Sequence, residues 1–147
     1  MKQKQKNIII HAKSQGSAVE WGLENFSKLI SKIDKAKFQV FISGTQAEGE
    51  LLQPLIKNNP DAIDLTGKMT LPEFISFINE ADILIAASTG PLHICAALGK
   101  KAIGLFIDKR PIHPGRWAPV GKDTHVVLMN DDSEKELQQI LNLIEAK

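Results

Sequence analysis

Cysteine is almost absent from this sequence, in which Cys95 is the only one among 147 residues. A single cysteine excludes an intramolecular disulfide and a metal site built from cysteines alone. Its place in a segment of small residues predicts a buried, unreactive thiol in a reducing compartment. No pair of the four histidines has the spacing of metal ligands, so we expect neither a metal site nor a cofactor.

The sequence also lacks a strong excess of charge and a long hydrophobic run. The net charge of +1 offers no electrostatic footprint for nucleic acid or for an anionic membrane. No apolar run approaches the roughly 20 residues of a membrane-spanning helix. No signal peptide is visible, because only three isoleucines separate the basic start from His11. We expect a cytoplasmic protein, with peripheral association at the inner face of the membrane as a further option.

Two common nucleotide-binding motifs are missing as well. The first predicted strand is not followed by Gly-x-Gly-x-x-Gly, which argues against a dinucleotide-dependent oxidoreductase. A Walker motif is absent too, so the sequence gives no indication of a P-loop nucleotidase.

Short apolar runs alternate with helical patterns along the whole chain. Its length is that of a single domain, residues 1–147. The runs predict six strands, at residues 7–11, 38–42, 62–66, 83–86, 102–107 and 124–129. Because helical segments separate them, they should form right-handed βαβ units with a parallel sheet. We therefore predict an α/β fold: a Rossmann-like, doubly wound parallel sheet with helices on both faces, in three αβα layers.

Helix signals support this alternation. The first helix should begin near Trp21, and a second should run from about Ala47 to Ile56, although Pro54 weakens that prediction locally. Thr70 can cap a further helix that has Pro72 in its first turn. Asp132 or Ser133 should cap the last one.

The stretch 81–107 combines a strand, a tight turn, a small-residue helix and a second strand. Such a turn presents free backbone N–H groups and the positive end of a helix dipole at the carboxyl edge of the sheet, where phosphate groups bind. Two interpretations of Ser88–Pro91 remain: an anion site or a plain helix cap. His93 is likewise a ligand-binding residue or a structural histidine.

Three strings in this region resemble the heptosyltransferase family, glycosyltransferase family 9. They are STGPLHICAALG at 88–99, GLF at 104–106 and RWAPVG at 116–121. Upstream, Gly16-Ser17-Ala18 before Glu20-Trp21 resembles the segment that opens the first helix of the family's donor-binding half. The resemblance runs in order along nearly the whole chain and implies the C-terminal, donor-binding half of a GT-B fold.

The resemblance implies the function of a metal-independent, inverting glycosyltransferase. Such an enzyme moves a sugar from a nucleotide-diphosphate donor to lipopolysaccharide or another surface glycan. By position, Thr89 and Gly90 would meet the diphosphate, Glu48 the ribose and Met69 the base. The implied substrate-binding residues are Ser14, Gln15, Glu48, Met69, Ser88, Thr89, Gly90 and His93.

The sequence departs from the family pattern in two positions. Ser88 stands where family members usually carry Asp, and Val19 stands where they carry a basic residue. Lys13 or Arg116 could supply the missing cation. Glu48 also has a plainer interpretation, as a solvated acid in the first turn of a helix. His11 is expected to be structural or to support the site from behind.

The acceptor-binding half, which carries the family's catalytic base, is expected to be missing from this chain. We therefore assign no catalytic residue and expect donor binding without transfer. The alternative is a non-catalytic nucleotide-binding module, or one part of a split enzyme that docks with a separate acceptor half. If the chain is half of an enzyme, the edge facing the missing half should expose apolar or aromatic residues such as Ile112 and Trp117, and this feature distinguishes the two interpretations. His113 either points into the cleft or covers it.

Overall fold

The computed structural model describes residues 6–12, 22–87, 90–107, 124–129 and 133–145. Within them the chain forms six strands: β1 (Lys6–His11), β2 (Phe38–Ile42), β3 (Ile63–Asp64), β4 (Ile83–Ala87), β5 (Lys101–Ile107) and β6 (Thr124–Met129). Six helices accompany them: α1 (Leu23–Lys32), α2 (Gln46–Leu51), α3 (Gln53–Asn58), α4 (Leu71–Glu80), α5 (Gly90–Ala97) and α6 (Ser133–Glu145). Trp21, Asp132 and the predicted loop 108–123 lie outside the described residues.

The six strands form one parallel sheet in the order β3-β2-β1-β4-β5-β6. The chain first builds outward from β1 through β2 to β3, and then crosses back to place β4 on the other side of β1. The strand order therefore reverses between β1 and β4, as in doubly wound sheets. This confirms the predicted fold class.

Helices cover both faces of the sheet, because alternate residues of each strand enter different cores. Ile8 and Ile10 of β1 belong to a core shared with α1, α3 and α6, while Ile9 belongs to a second core shared with α4 and α5. All three isoleucines are fully buried. A strand buried on both faces reads as a continuous apolar run, as the sequence does here.

The helix predicted from Ala47 to Ile56 is in fact two helices, and this part of the prediction was wrong. Proline lacks an N–H group and its ring clashes with the carbonyl four residues back, so Pro54 is tolerated only in a first turn. It occupies the first turn of α3, and the fully buried Leu52 separates the two helices. Leu51, at the end of α2, is 60% exposed.

β3 is shorter than predicted, with two residues instead of five. The Asp64 side chain accepts hydrogen bonds from both the backbone N–H and the hydroxyl of Thr66, at 2.8 and 2.6 Å. An aspartate that binds the backbone two residues ahead forms a turn, which ends the strand. The cap predicted for α4 is confirmed: the Thr70 hydroxyl accepts from the Glu73 backbone N–H, and the Glu73 carboxylate accepts from that of Thr70.

The helix α2 packs directly against the loop that follows β3. A Cβ atom added at Gly49 would lie 2.5 Å from the Thr66 hydroxyl oxygen and 2.8 Å from its Cβ. That hydroxyl is held by Asp64, so it cannot turn away without losing a hydrogen bond. The absence of a side chain at Gly49 therefore lets α2 approach the loop.

We predict that Gly49→Ala destabilises the protein, because the added methyl group overpacks this contact. The expected loss in free energy of unfolding is about 1–3 kcal/mol, as for other overpacked cores. Urea unfolding followed by circular dichroism measures it. Glu50→Ala, at an exposed position of the same helix, is the control and should stay within about 0.5 kcal/mol of the parent. Equal stability of the two variants would contradict the prediction.

Candidate functional site

The candidate site lies at the carboxyl edge of the sheet, where the strand order reverses. His11 ends β1 and Ala87 ends β4, and the two strands are hydrogen-bonded neighbours in which His11 pairs with Ala86. The connections after β1 and β4 lead to helices on opposite faces of the sheet. At such a reversal an open α/β sheet has a crevice, which is its usual ligand position.

The helix α5 starts in this crevice. Its first residue, Gly90, follows the end of β4 after only two residues, so the free N–H groups of the first turn lie at the sheet edge. Leu92 and Cys95 are buried against the sheet and hold the helix in place, which confirms the buried thiol. Gly99 ends the turn beyond the helix with a positive φ of 76°. Thus the two predicted strands and the small-residue helix between them are present.

His93 lies in the first turn of α5 with an exposed side chain. His93 and Gly90 are the residues of the predicted site that the structure describes next to β4. Ser88 and Thr89, in the turn itself, lie outside the described residues, as do Ser14 and Gln15 in the connection after β1. Their predicted roles stay predictions.

Glu48 is the most constrained of the predicted site residues. It forms a capping box at the start of α2: its Oε1 accepts a hydrogen bond from the Thr45 backbone N–H at 2.9 Å, and the Thr45 hydroxyl accepts from the Glu48 N–H at 3.1 Å. The residue is only 5% exposed. The interpretation of Glu48 as a solvated surface acid was therefore wrong, because the cap draws the carboxylate inward.

The second carboxylate oxygen, Oε2, is buried and has no hydrogen-bond partner among the described residues. Leaving a buried polar oxygen unsatisfied typically costs about 1–3 kcal/mol, and more when the group is charged. Such an oxygen is an acceptor for a donor group that the described part of the chain does not provide. A hydroxyl group of a bound ligand would satisfy it.

Met69 is brought to the same edge by the packing of the loops after β2 and β3. The Gly67 N–H donates to the Gly44 carbonyl at 3.0 Å, and Gly67 adopts a positive φ of 68° close to Gln46. Met69, two residues further on, is half-buried. The loop that carries Met69 is thus hydrogen-bonded directly to the loop that leads into α2, where Glu48 lies in the first turn.

A pair of residues at this edge was not predicted to act together. The Nδ1 atom of His11 lies 2.9 Å from the hydroxyl oxygen of Ser43, which is 1% exposed. The His11 ring stacks on Phe74 of α4, with 6.2 Å between ring centroids and 28° between planes. The signal was present in the sequence, because His11 ends one predicted strand and Ser43 follows its neighbour.

The surroundings of His11 oppose its protonation. Burial lowers its pKa below the ordinary 6.5, and the nearby Glu48 carboxylate raises it, the effect of burial being the larger. The ring is therefore more difficult to charge than a free histidine, although a carboxylate is close enough to act on it.

Among the described residues, no group of three or more His, Cys, Asp and Glu side chains is arranged to hold a metal ion. In the same part of the chain, no helix combines the length and apolar character needed to cross a membrane.

Comparison with known sequences identifies the family. The sequence model of glycosyltransferase family 9 (heptosyltransferase) matches residues 1–144. The chain belongs to glycosyltransferase family 9. A Haemophilus influenzae protein assigned as a glycosyltransferase is 33% identical over 143 residues, and the lipopolysaccharide core heptosyltransferase OpsX of the same organism is 24% identical over 137 residues.

Solved structures of family 9 enzymes share this fold. The E. coli heptosyltransferase WaaC with ADP superposes with a TM-score of 0.81 and 19% identity, over 95% of this chain and 44% of that one. The E. coli ADP-heptose lps heptosyltransferase II gives 0.78 and 16%, over 95% and 45%. The Haemophilus relatives are matched over 93% and 89% of this family 9 chain, but over only 40% and 38% of their own length. This chain thus spans less than half the length of each of these four proteins.

We predict that the stability of this family 9 chain depends on pH through His11. Because the pKa of His11 is lowered in the folded protein, the unfolded chain binds the proton more readily. The contribution is fully present above the ordinary pKa of 6.5 and is lost as pH falls from there toward the lowered value. One proton accounts for at most about 1.4 kcal/mol per pH unit.

Urea unfolding over a series of pH values measures this effect in the parent and in His11→Asn. Asparagine can keep a hydrogen bond to Ser43 but does not titrate. The parent should therefore lose free energy of unfolding relative to His11→Asn as the pH falls below the ordinary pKa of histidine. Parallel curves would contradict the prediction.

Proposed function

We propose that this chain is the donor-binding domain of an inverting family 9 glycosyltransferase, and that the carboxyl edge of its sheet binds a nucleotide-diphosphate sugar. The observation that carries the proposal is the start of α5 in the crevice at the strand-order reversal. A helix amino terminus at that position offers N–H donors and a favourable dipole to an anion.

The diphosphate would lie at the amino end of α5, against Thr89 and Gly90, with Ser88 and His93 beside it. Ser14 and Gln15 would approach from the connection after β1. Glycosyl transfer passes through an oxocarbenium-like state while negative charge grows on the departing diphosphate. Fixed N–H donors stabilise that charge without reorganising, and removing one such donor typically costs about 3 kcal/mol.

The nucleoside would extend from the diphosphate toward the loops after β2 and β3. There the unpartnered Oε2 of Glu48 would accept a hydrogen bond from a ribose hydroxyl, and the half-buried Met69 would lie against the base. The WaaC structures with ADP and with ADP-2-deoxy-2-fluoro heptose favour an adenosine-diphosphate sugar as the donor.

The acceptor would be lipopolysaccharide or another surface glycan, as the relative OpsX, a lipopolysaccharide core heptosyltransferase, suggests. Neither a metal ion nor a cofactor has a role in this proposal. No residue of this chain is assigned as the catalytic base, which an acceptor-binding half would supply.

A second candidate function is a nucleotide-binding module that acts without catalysis or as one part of a split enzyme. The observation in its favour is that the chain corresponds to about 40% of the length of its curated relatives. Both candidates require nucleotide binding. Only transfer activity, measured after addition of a separately produced acceptor-binding half from a family 9 enzyme, distinguishes them.

We predict that the chain binds ADP-linked sugars more tightly than GDP-, UDP- or CMP-linked sugars. Isothermal titration calorimetry with the four classes measures this directly. If none of them binds at millimolar concentration to folded protein, the proposed function is wrong. A preference for another base would overturn only the assignment of adenosine.

Gly90→Asp and Gly90→Asn form the matched pair for the diphosphate. Both side chains have nearly the same size, but only aspartate places a negative charge at the start of α5. We expect Asp to weaken donor binding at least about tenfold more than Asn, because like charges repel at short range. Equal losses would indicate a steric effect and contradict the placement of the diphosphate.

We predict that Glu48→Gln weakens binding of ADP but not of 2′,3′-dideoxy-ADP. Glutamine keeps an oxygen for the Thr45 N–H and removes the charged acceptor. Hydrogen bonds to charged groups contribute about 1.5–3 kcal/mol, so the expected loss for ADP is roughly 10- to 100-fold. A similar loss for both nucleotides would contradict the ribose contact.

A further inference from the structure

His11 ends β1 at the sheet edge that carries the proposed donor site, and its ring contacts α4. Its strand is the centre of the reversal, with β2 on one side and β4 on the other. Its Nδ1 atom is engaged with Ser43, and its ring rests on Phe74. The Nε2 atom makes no hydrogen bond with any residue that the structure describes, and the side chain is partly exposed. Within the described part of the chain, that edge of the ring is left for another group to contact.

The ring and the start of α5 stand at the same edge of the sheet. His11 pairs with Ala86, four residues before Gly90. Four residues span at most about 14 Å, so an anion at the amino end of α5 would lie on the order of 10 Å from the ring. Two charges at that range still interact when one of them is largely buried.

We propose that His11 is a proton-linked positioning residue for the donor, uncharged in the empty protein and protonated when a nucleotide diphosphate occupies the crevice. The proposal rests on the proposed function and adds to it the coupling of donor binding to proton uptake. No bond to the substrate forms or breaks at His11. The proton comes from solvent and stays on the ring.

The charges around the ring account for this behaviour. Among the described residues, the Glu48 carboxylate is the charged group that acts on His11, and β4 and α4 present the uncharged Ala86 and Phe74 to it. Lys13, two residues along the chain, lies outside the described residues. Without a ligand, burial outweighs the single carboxylate and lowers the pKa. A diphosphate diester adds two negative charges, which favour the protonated ring.

The coupling has a defined sign. If the bound state holds the proton more firmly than the free state, affinity rises as pH falls through the His11 pKa of the complex, and it levels off below that of the free protein. One proton changes affinity by at most about tenfold per pH unit. Ser43 fixes the ring through Nδ1, so the gained charge appears at a set position.

The test is the binding of ADP-glucose to the whole chain between about pH 5.5 and about pH 8, a range that brackets the ordinary pKa of histidine. A sugar-linked diphosphate is the required probe, because the terminal phosphate of ADP itself titrates near pH 6. We expect affinity to increase several-fold toward the acid end. Calorimetry in buffers of different ionisation enthalpy should show uptake of a fraction of one proton.

Three variants separate His11 from other causes. His11→Asn should bind with a flat pH profile, since it keeps a partner for Ser43 and cannot titrate. His11→Phe retains the contact with Phe74 and should behave in the same way, so that loss of folding is not mistaken for loss of coupling. His125→Gln changes a histidine on the edge strand β6, three strands away from β1, and should leave the parent profile unchanged.

NMR provides a direct readout. The Cε1–H signal of His11, assigned among the four histidines by its loss in His11→Asn, should titrate at higher pH with ADP-glucose than without it. An unchanged titration, a flat parent profile, or a profile that persists in His11→Asn would overturn the proposal alone. Failure of ADP-glucose to bind at any pH would overturn both this proposal and the adenosine-donor function.

Discussion

The pairing of β4 with the free side of β1 is the constraint on which the rest of this structure depends. This pairing places three isoleucines of β1 at the centre of two cores. The connections after β1 and β4 lead to helices on opposite faces of the sheet. Every element of the candidate site is placed by that reversal. α5 starts on one side of it, and the capped helix α2 stands on the other. The crevice is therefore a product of strand order rather than of loop sequence.

Backbone hydrogen bonds hold the Glu48 carboxylate at this edge, and the same bonds stabilise the start of α2. Glu48 uses one oxygen to cap α2, and its other oxygen is buried with no partner in the described part of the chain, while the close contact at Gly49 keeps α2 against the loop after β3. Capping and packing thus fix an acceptor that an exposed side chain could not hold in place. A rigid acceptor of this kind lowers the cost of ordering the site when a ligand binds.

The architecture could be predicted from sequence because its signals are local and repeated. Continuous apolar runs marked the buried strands, and Thr70 with Pro72 marked a helix start. The break at Leu52 was missed because Pro54 is compatible both with the end of one helix and with the first turn of the next. The pairing of His11 with Ser43 depends on two residues 32 positions apart meeting in space. Sequence patterns within one element carry no information about such contacts.

The closing helix α6 has a consequence for how the chain acquires its structure during synthesis. It lies on the same core as α1, and the Lys101 ammonium group donates to the Leu143 carbonyl within it. Among the described residues, the core around Ile9, Leu84 and Cys95 draws on residues between 9 and 102, so it can assemble on the ribosome before α6 exists. The core on the other face stays open to water until residues 133–145 have emerged. Chaperones that bind apolar surface would therefore meet this chain first on the α1 side.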